Sequence, residues 1–494
     1  MVQVLEEAGA PALIVSPVDR PTSGRPAQVW GNERALTLRI PIGTLKVHVL
    51  GDSIIPPSIF GRFTIVCAIL RQLHLSLSFL LASTLYFFSA FPILSSFLHP
   101  LSHPFKSSAD WSVRRQLAPF DVIVVDQLSA SIPLLRWIGG NRVVFYCHFP
   151  DLLLSPSRSA HEGEDDDHYR QPVSPAALLR AVYRAPIDRF EEATTGEADK
   201  ILVNSEFTSR VFQRTFASLG RIPRVVYPGI DVDAYGKAVV ATDEDKWLER
   251  CVHSIHCIRI WAYSFSDSVR PPRSSPSTAT RARRTSRSRS KRSRARSACT
   301  PPYASLLLVR AQVSLTRDPI IQTILAGGYD PRLEDNVATL LSLQALATKL
   351  DLTHHTVSPS PLADPSAVPN AVTPAISLTP PKAAPQVLFL LNMTNVHKAL
   401  LLGAPSTVAL LYTPSYEHLG IVPLEAMASG LPVLATSSGG PTETIVDDGL
   451  DSAATTGLLR VPSAEVWATA LKDLLALPEA RRKEIGAAGQ QRTR

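Results

Sequence analysis

Short, wholly apolar runs alternate with helical patterns through most of this chain. "DVIVVD" (Asp121 to Asp126) and "RVVFYC" (Arg142 to Cys147) lack a polar face, which predicts strands covered on both sides in a parallel sheet. "QLSASIPLLRWI" between them fits a helix, and a helical stretch follows over roughly Pro175 to Ala193. "KILVNS" reads as a strand, "EFTSRVFQRTFASLG" as a helix ended by Gly220, and "RVVYPGID" as a strand into a turn. Counted from "LKVHVLGD" at Leu45, these elements form one doubly wound α/β domain.

A second series begins near Asp318. "IIQTILAGGYD" reads as a strand into a glycine turn and "RLEDNVATLLSLQALATKLDL" as a long amphipathic helix. "QVLFLLNM", "NVHKALLLGA" and "STVALLYTPS" follow as strand, helix and strand. Residues 1–44 show no clear period, and 247–310 break the pattern. The sequence therefore predicts an atypical segment at 1–44, a Rossmann-like domain at 45–235, an interrupted join at 236–317 and a second Rossmann-like domain at 318–494.

Composition alters this picture in three places. The net charge of +7 invites nucleic acid or anionic lipid. Yet Arg270 to Ser297 holds ten Arg, one Lys and no acid, so the remainder carries 7 − 11 = −4. The basicity belongs to one low-complexity run, and no nucleic-acid partner is expected. Five cysteines, widely spaced and without a CxxC pair, argue for reducing surroundings and against zinc. Leu75 to Leu98 carries no charge and exceeds the roughly 20 residues that span a bilayer. It reads as a membrane-contacting segment, a buried helix or sequence foreign to the protein. Acids near the N-terminus argue against a secretory signal, and "EGEDDDH" reads as a solvated acidic loop.

Candidate chemistry concentrates in Ser415 to Glu443, "SYEHLGIVPLEAMASGLPVLATSSGGPTE". Ligands of open parallel sheets bind at the carboxyl ends of strands, and free N–H groups at helix N-termini attract phosphate. Glu417 leaves the strand "TVALLYTPS", and the following helix carries Pro423 in its first turn, where the missing N–H costs nothing. Gly420 and Ile421 would offer backbone donors to a phosphate. Glu417 and Glu425 would accept hydroxyl pairs from a sugar and a ribose, so the pattern points to a nucleotide-sugar. Gly439 and Gly440, after "PVLAT", stand where backbone can approach a ligand closely. On spacing alone, Glu417 also reads as a solvated loop acid and Glu425 as a complement to the helix dipole.

Together with "FYCHFPDLLL", "YRAPIDRFEEATTGEADKILVNSEFTSRVFQRTF", "HVLGDSIIPPSIFGRF" and "LAGGYDPRLEDNV", that stretch resembles the α-1,3/1,6-mannosyltransferases of dolichol-linked oligosaccharide assembly. These belong to family 4 of the retaining glycosyltransferases. The resemblance covers most of 45–235 and 318–490. It implies the GT-B fold, with two Rossmann-like domains facing a cleft. It also implies GDP-mannose as donor, a mannosylated GlcNAc2-diphosphodolichol acceptor, and work at the cytosolic face of the endoplasmic reticulum membrane beside other early mannosyltransferases. No metal or other cofactor is expected. Position by position, Glu417 would touch the donor sugar, Glu425 the ribose, Gly420 and Ile421 the phosphate or sugar, and His148 in "YCHFPD" the transferred mannose. Asp151 in the same loop also reads as a cap.

Three departures from the family pattern stand out. No glycine-rich loop follows a first strand within 1–44, and the chain ends at Arg494 within a helical pattern. The basic motif that would neutralise the donor diphosphate is replaced by "PSTATRARRTSRSRSKRSRARS". Permitted codons for Pro276 to Arg287, read two bases later, spell I-N-R-Y-A-R-K-K-N-V-A, so the motif is expected in another frame of the gene. An Arg/Ser linker is the plain alternative. It leaves open an inactive, incomplete paralogue or an Arg/Ser-mediated binding protein on the same scaffold, for which Arg281, Arg283 and Arg284 cannot take the diphosphate role.

Overall fold

The computed structural model describes residues 12–15, 64–89, 122–150, 175–235, 257–263, 320–331, 334–359 and 385–494, with 55, 247–248, 374–377, 379 and 381. Leu45 to Asp52, Asp151, the acidic loop and the Arg/Ser run lie outside these. The chain divides into two compact units, Met1–Asp231 and Val232–Arg494.

The first unit is built on five parallel strands in sequential order: β1 (Ala12–Val15), β2 (Val122–Asp126), β3 (Arg142–Cys147), β4 (Lys200–Val203) and β5 (Arg224–Val225). Ile123 pairs with Val143 and Val125 with Phe145 in register. Their side chains join Phe79, Ile132, Ile201, Phe212 and Phe216 in one core. Helices α1 (Thr64–Ser89), α2 (Pro175–Gly196) and α3 (Glu206–Thr215) connect the strands. The α3 start is fixed by Ser205, whose hydroxyl accepts from Thr208 N–H at 3.0 Å, a cap of about 1 kcal/mol. Two expectations change. A strand at 12–15 occupies the segment that showed no period. "QLSASIPLLRWI" supplies only a wide helical turn at Leu134–Ile138, because Pro133 denies a donor to a longer helix.

In α1 the buried face carries Gln72 (1% exposed) and Ser76 (0%), and Gln72 Nε2 donates to Leu128 O at 2.6 Å. Leu70, Leu77 and Leu81, spaced to share one face, are exposed. Among the described residues no helix is long and apolar enough to cross a membrane.

The second unit holds seven parallel strands: β6 (Cys257–Tyr263), β7 (Ile320–Gly327), β8 (His354–Val357), β9 (Val387–Leu391), β10 (Thr407–Tyr412), β11 (Val433–Thr436) and β12 (Gly457–Arg460). Their order is β12-β11-β10-β6-β7-β9-β8. Every β9 side chain is buried, with alternate residues on opposite faces. Phe389 and Leu391 pack with Leu340, Leu343 and Trp467 of α4 (Glu334–Lys349) and α8 (Ala464–Ala476). Leu388 and Leu390 pack with Leu401 and Met427 of α5 (Asn395–Gly403) and α6 (Ile421–Ala428). Each such buried Leu or Phe contributes about 1.5–3 kcal/mol. The short α7 (Pro441–Thr444) and the long α9 (Glu479–Thr493) complete the unit. Strand β6 lies within the expected interruption, yet it pairs with β7 and β10 at the centre of the sheet.

Candidate functional site

From β6 the second sheet grows first toward β7 and β9, then returns to place β10 on the other side of β6. The order reverses between β6 and β10, and that reversal opens a crevice at the carboxyl ends of the two strands. The loop after β10 delivers Glu417 there.

This loop is tied to the one after β11. Thr436 Oγ1 donates to Pro414 O at 2.5 Å, Tyr416 N to Ser438 Oγ at 3.1 Å and Gly440 N to Glu417 O at 2.7 Å. Tyr416 adopts a φ of 56°, uncommon for a non-glycine residue. A Cβ on Gly439 would lie 2.4 Å from Glu417 O, and one on Gly440 2.2 Å from Leu419 Cα. The close approach expected of Gly439 and Gly440 is therefore made by the chain's own 417–419 backbone. Gly440 N–H is spent inside the protein on Glu417 O.

Glu417 is half-buried. Burial pushes its carboxyl above the usual carboxylate range, while the His418 backbone N–H and the Tyr412 side chain, both hydrogen-bonded to it, pull the other way. Helix α6 then starts at Gly420, whose φ of 84° suits glycine, and no side chain caps its first turn. Ile421 is 40% exposed. The helix thus presents uncapped N–H groups next to Glu417, as a phosphate requires.

One turn on, Glu425 is 7% exposed. Its Oε1 accepts from Lys398 Nζ of α5 at 2.6 Å and from Tyr235 hydroxyl at 2.7 Å. The sequence reading named neither partner. Behind α6, a Cβ on Gly486 of α9 would lie 2.0 Å from Gly430 O, and Gln490 Nε2 donates to Ala428 O at 3.2 Å. Nearby, Asn392 uses both ends of its amide on Tyr329, accepting from its N–H at 2.7 Å and donating to its carbonyl at 2.8 Å. Asn392 thereby acts as a loop brace.

In the first unit, His148 follows β3 directly and lies 2.8 Å, Nε2 to Oδ1, from Asp126 at the end of β2. The Asp126 side chain is mostly covered and that of His148 partly open. The Tyr146 ring meets His148 edge-on at 4.9 Å, and its hydroxyl donates to Val226 O at 3.1 Å. Burial, then the Asp126 charge, push the Tyr146 phenol well above its usual range. Sequence reasoning passed over Asp126, although an acid closing an apolar strand at its carboxyl end was the signal. Among the described residues no three His, Cys, Asp or Glu side chains are grouped to hold a metal.

Two family models match the chain: Glycosyltransferase Family 4 over residues 83–234 and Glycosyl transferases group 1 over 382–492. Two solved structures align at low similarity. Sucrose-phosphate synthase from Thermosynechococcus elongatus is 17% identical, over 78% of this chain and 71% of that one, with a TM-score of 0.45. Anabaena Alr3699/HepE in complex with UDP is 16% identical, over 78% and 76%, also at 0.45. Likeness at that level carries no weight for the site. Relatives named alpha-1,3/1,6-mannosyltransferase ALG2 are far more similar in sequence. The Rhizomucor pusillus protein is 32% identical over 91% of this chain and 76% of its own length. The Neurospora crassa protein is 34% identical over 92% and 76%, and the Saccharomyces cerevisiae protein 31% over 87% and 67%. On these matches, spread across both units, the chain belongs to the family of α-1,3/1,6-mannosyltransferases.

Proposed function

We propose that this chain is a retaining glycosyltransferase that moves mannose from GDP-mannose to mannosylated GlcNAc2-diphosphodolichol, forming an α-1,3 and then an α-1,6 linkage. The observation that carries the reading is the pairing of Glu417 with Glu425 around an uncapped helix start at a topological switch point. In this proposal Glu425 holds the ribose hydroxyls, and Gly420 and Ile421 present N–H groups to the diphosphate. Glu417 meets the donor sugar. Burial raises its pKa and so favours its protonated form relative to an exposed carboxyl. His148, steadied by Asp126, meets the transferred mannose. The leaving diphosphate takes the acceptor proton, so catalysis rests on positioning and on donors aimed at developing charge. The exposed Leu70, Leu77 and Leu81 on α1 support contact with a membrane, which we take to be the cytosolic face of the endoplasmic reticulum.

The test is transfer to a synthetic lipid-linked acceptor with linkage analysis of the product. Mannose from GDP-mannose, in α-1,3 and α-1,6 linkage, with loss on Glu425→Ala, is the expected result. Transfer from UDP-sugars instead, or full activity in Glu425→Ala, would overturn it. RNA binding that falls steeply with salt and vanishes on deleting 270–297 would favour the binding-protein reading. Sequencing the transcript across residues 240–320 decides the frame of the basic motif. A restored R-Y-x-R-K-K-N frame supplies the diphosphate with cations. A confirmed Arg/Ser run predicts little transfer by this polypeptide.

A further inference from the structure

A carboxylate offers four lone-pair positions, two on each oxygen. In Glu425 both positions on Oε1 are filled, by Lys398 Nζ at 2.6 Å and by Tyr235 hydroxyl at 2.7 Å. We infer that Lys398 and Tyr235 are positioning residues for the nucleoside end of the donor: they hold Glu425 by one oxygen and leave Oε2 as the acceptor for a vicinal diol. The inference rests on the reading of Glu425 as the ribose acceptor.

The three residues come from separate parts of the chain. Tyr235 is 190 positions from Glu425 and Lys398 is 27 away. The Lys398 and Glu425 side chains are only 20% and 9% exposed. A carboxylate so covered is expensive to hold ionised without a cation, and the Lys398 ammonium meets that need from α5. The helix that carries Lys398 is itself fixed at its start. Thr394 Oγ1 accepts from His397 N–H and His397 Nδ1 accepts from Thr394 N–H, both at 3.2 Å. The residue next to this reciprocal cap is Lys398, so its stem leaves the helix from a rigid point. Tyr235 follows the short turn Val232–Ala234 at the entrance to the second unit, and thereby ties that entrance to the site.

An immobilised carboxylate discriminates a ribose from a deoxyribose, because each lost hydroxyl leaves an acceptor unmatched. A carboxylate free to rotate would settle on whichever donor remained. The positioning role therefore predicts a loss of selectivity as well as of affinity.

The experiment compares GDP with 2′-deoxy-GDP by calorimetry for the wild type, Lys398→Met, Lys398→Arg, Tyr235→Phe, Glu425→Gln and the double variant Lys398→Met/Glu425→Gln. Donor KM and kcat are measured alongside. Lys398→Met is expected to weaken GDP roughly tenfold and Tyr235→Phe roughly threefold. The preference for GDP over the deoxy compound should shrink in both, with kcat within about twofold. Lys398→Arg, which keeps the charge, should recover most of the affinity, separating the role from a folding defect. In the Glu425→Gln background Lys398→Met should add nothing, since its effect passes through Glu425. An equal loss in that background would make Lys398 a direct ligand of the donor and overturn the inference. So would unchanged GDP affinity in Lys398→Met while Glu425→Gln is weakened. If Glu425→Gln itself binds GDP like the wild type, the ribose reading fails, and the inference fails with it.

Discussion

The two sheets differ in one respect that decides where chemistry can be read. In the first, β1 to β5 follow one another in sequence order, so no described pair of neighbours has connections leaving in opposite directions. In the second, the order turns back at β6 and β10, and the loops that separate there make room for a ligand. The polar contacts follow suit. Glu425 is buried, charged and doubly held, as befits a fixed acceptor inside a preformed site. His148 is partly open and braced by a single carboxylate, a more adjustable arrangement at the end of an otherwise regular sheet. Topology, more than the number of candidate side chains, separates the two.

The largest effect that would test this contrast is Gly440→Ala. Its Cβ would meet the Leu419 backbone at 2.2 Å, so a loss of about 3 kcal/mol or more and of transfer is expected in denaturant titration and activity assays. The matching change in the first unit, Gly140→Ala, meets nothing within 4 Å at a φ of +68°. It should cost only about 1 kcal/mol of backbone strain. Equal losses would remove the contrast. Gly486→Ala, facing Gly430 O at 2.0 Å, comes next, at about 2 kcal/mol with a raised donor KM as α6 is displaced.

Asp126→Asn should lower kcat about tenfold by releasing His148, with GDP affinity unchanged, because Asp126 belongs to the first unit. A loss of GDP affinity would contradict that separation. Glu417→Gln gives a subtler effect. A carboxyl whose folded pKa is raised stabilises the native state below the ordinary value of 4.5 and loses that contribution as pH rises through its folded pKa. The melting temperature of the Gln variant relative to wild type should therefore climb as pH rises above 4.5, and a flat difference would refute the burial of that carboxyl. The smallest expected effect is Lys483→Ala, which removes an exposed partner of Glu479 and should leave the unfolding midpoint unchanged within error.

Much of this was legible in advance because unbroken apolar runs have few alternatives to a doubly covered strand. β2, β3, β7, β9, β10 and β11 stand where "VIVVD", "RVVFYC", "IIQTILAG", "VLFLL", "TVALLY" and "VLAT" placed them. β8 and β12 carried no strand reading in advance, and β1 and β6 escaped for a physical reason. "ALIV" is only four residues long, and "CIRIWAY" includes Arg259, so both are strands chiefly because neighbours on the sheet accept them. The candidate site divides in the same way. Glu417 and Glu425 share one short stretch and could be found from spacing. Lys398, Tyr235 and Asp126 reach their partners across 27, 190 and 22 residues, and only the fold makes those pairs. At Gly439 and Gly440 glycine permits a close backbone approach. What approaches is the protein's own loop.

The glycine contact between α9 and α6 sets a schedule for synthesis. Gly486 and Gly489 close on Gly430 and Met427 from a helix at residues 479–493. The α9-facing side of the helix that carries Glu425 thus stays uncovered until this late segment has left the ribosome, although its other side already packs on the sheet. The donor site is therefore completed late, and a nascent chain stalled before residue 479 would hold every candidate site residue named here and still lack the α9 contact behind α6.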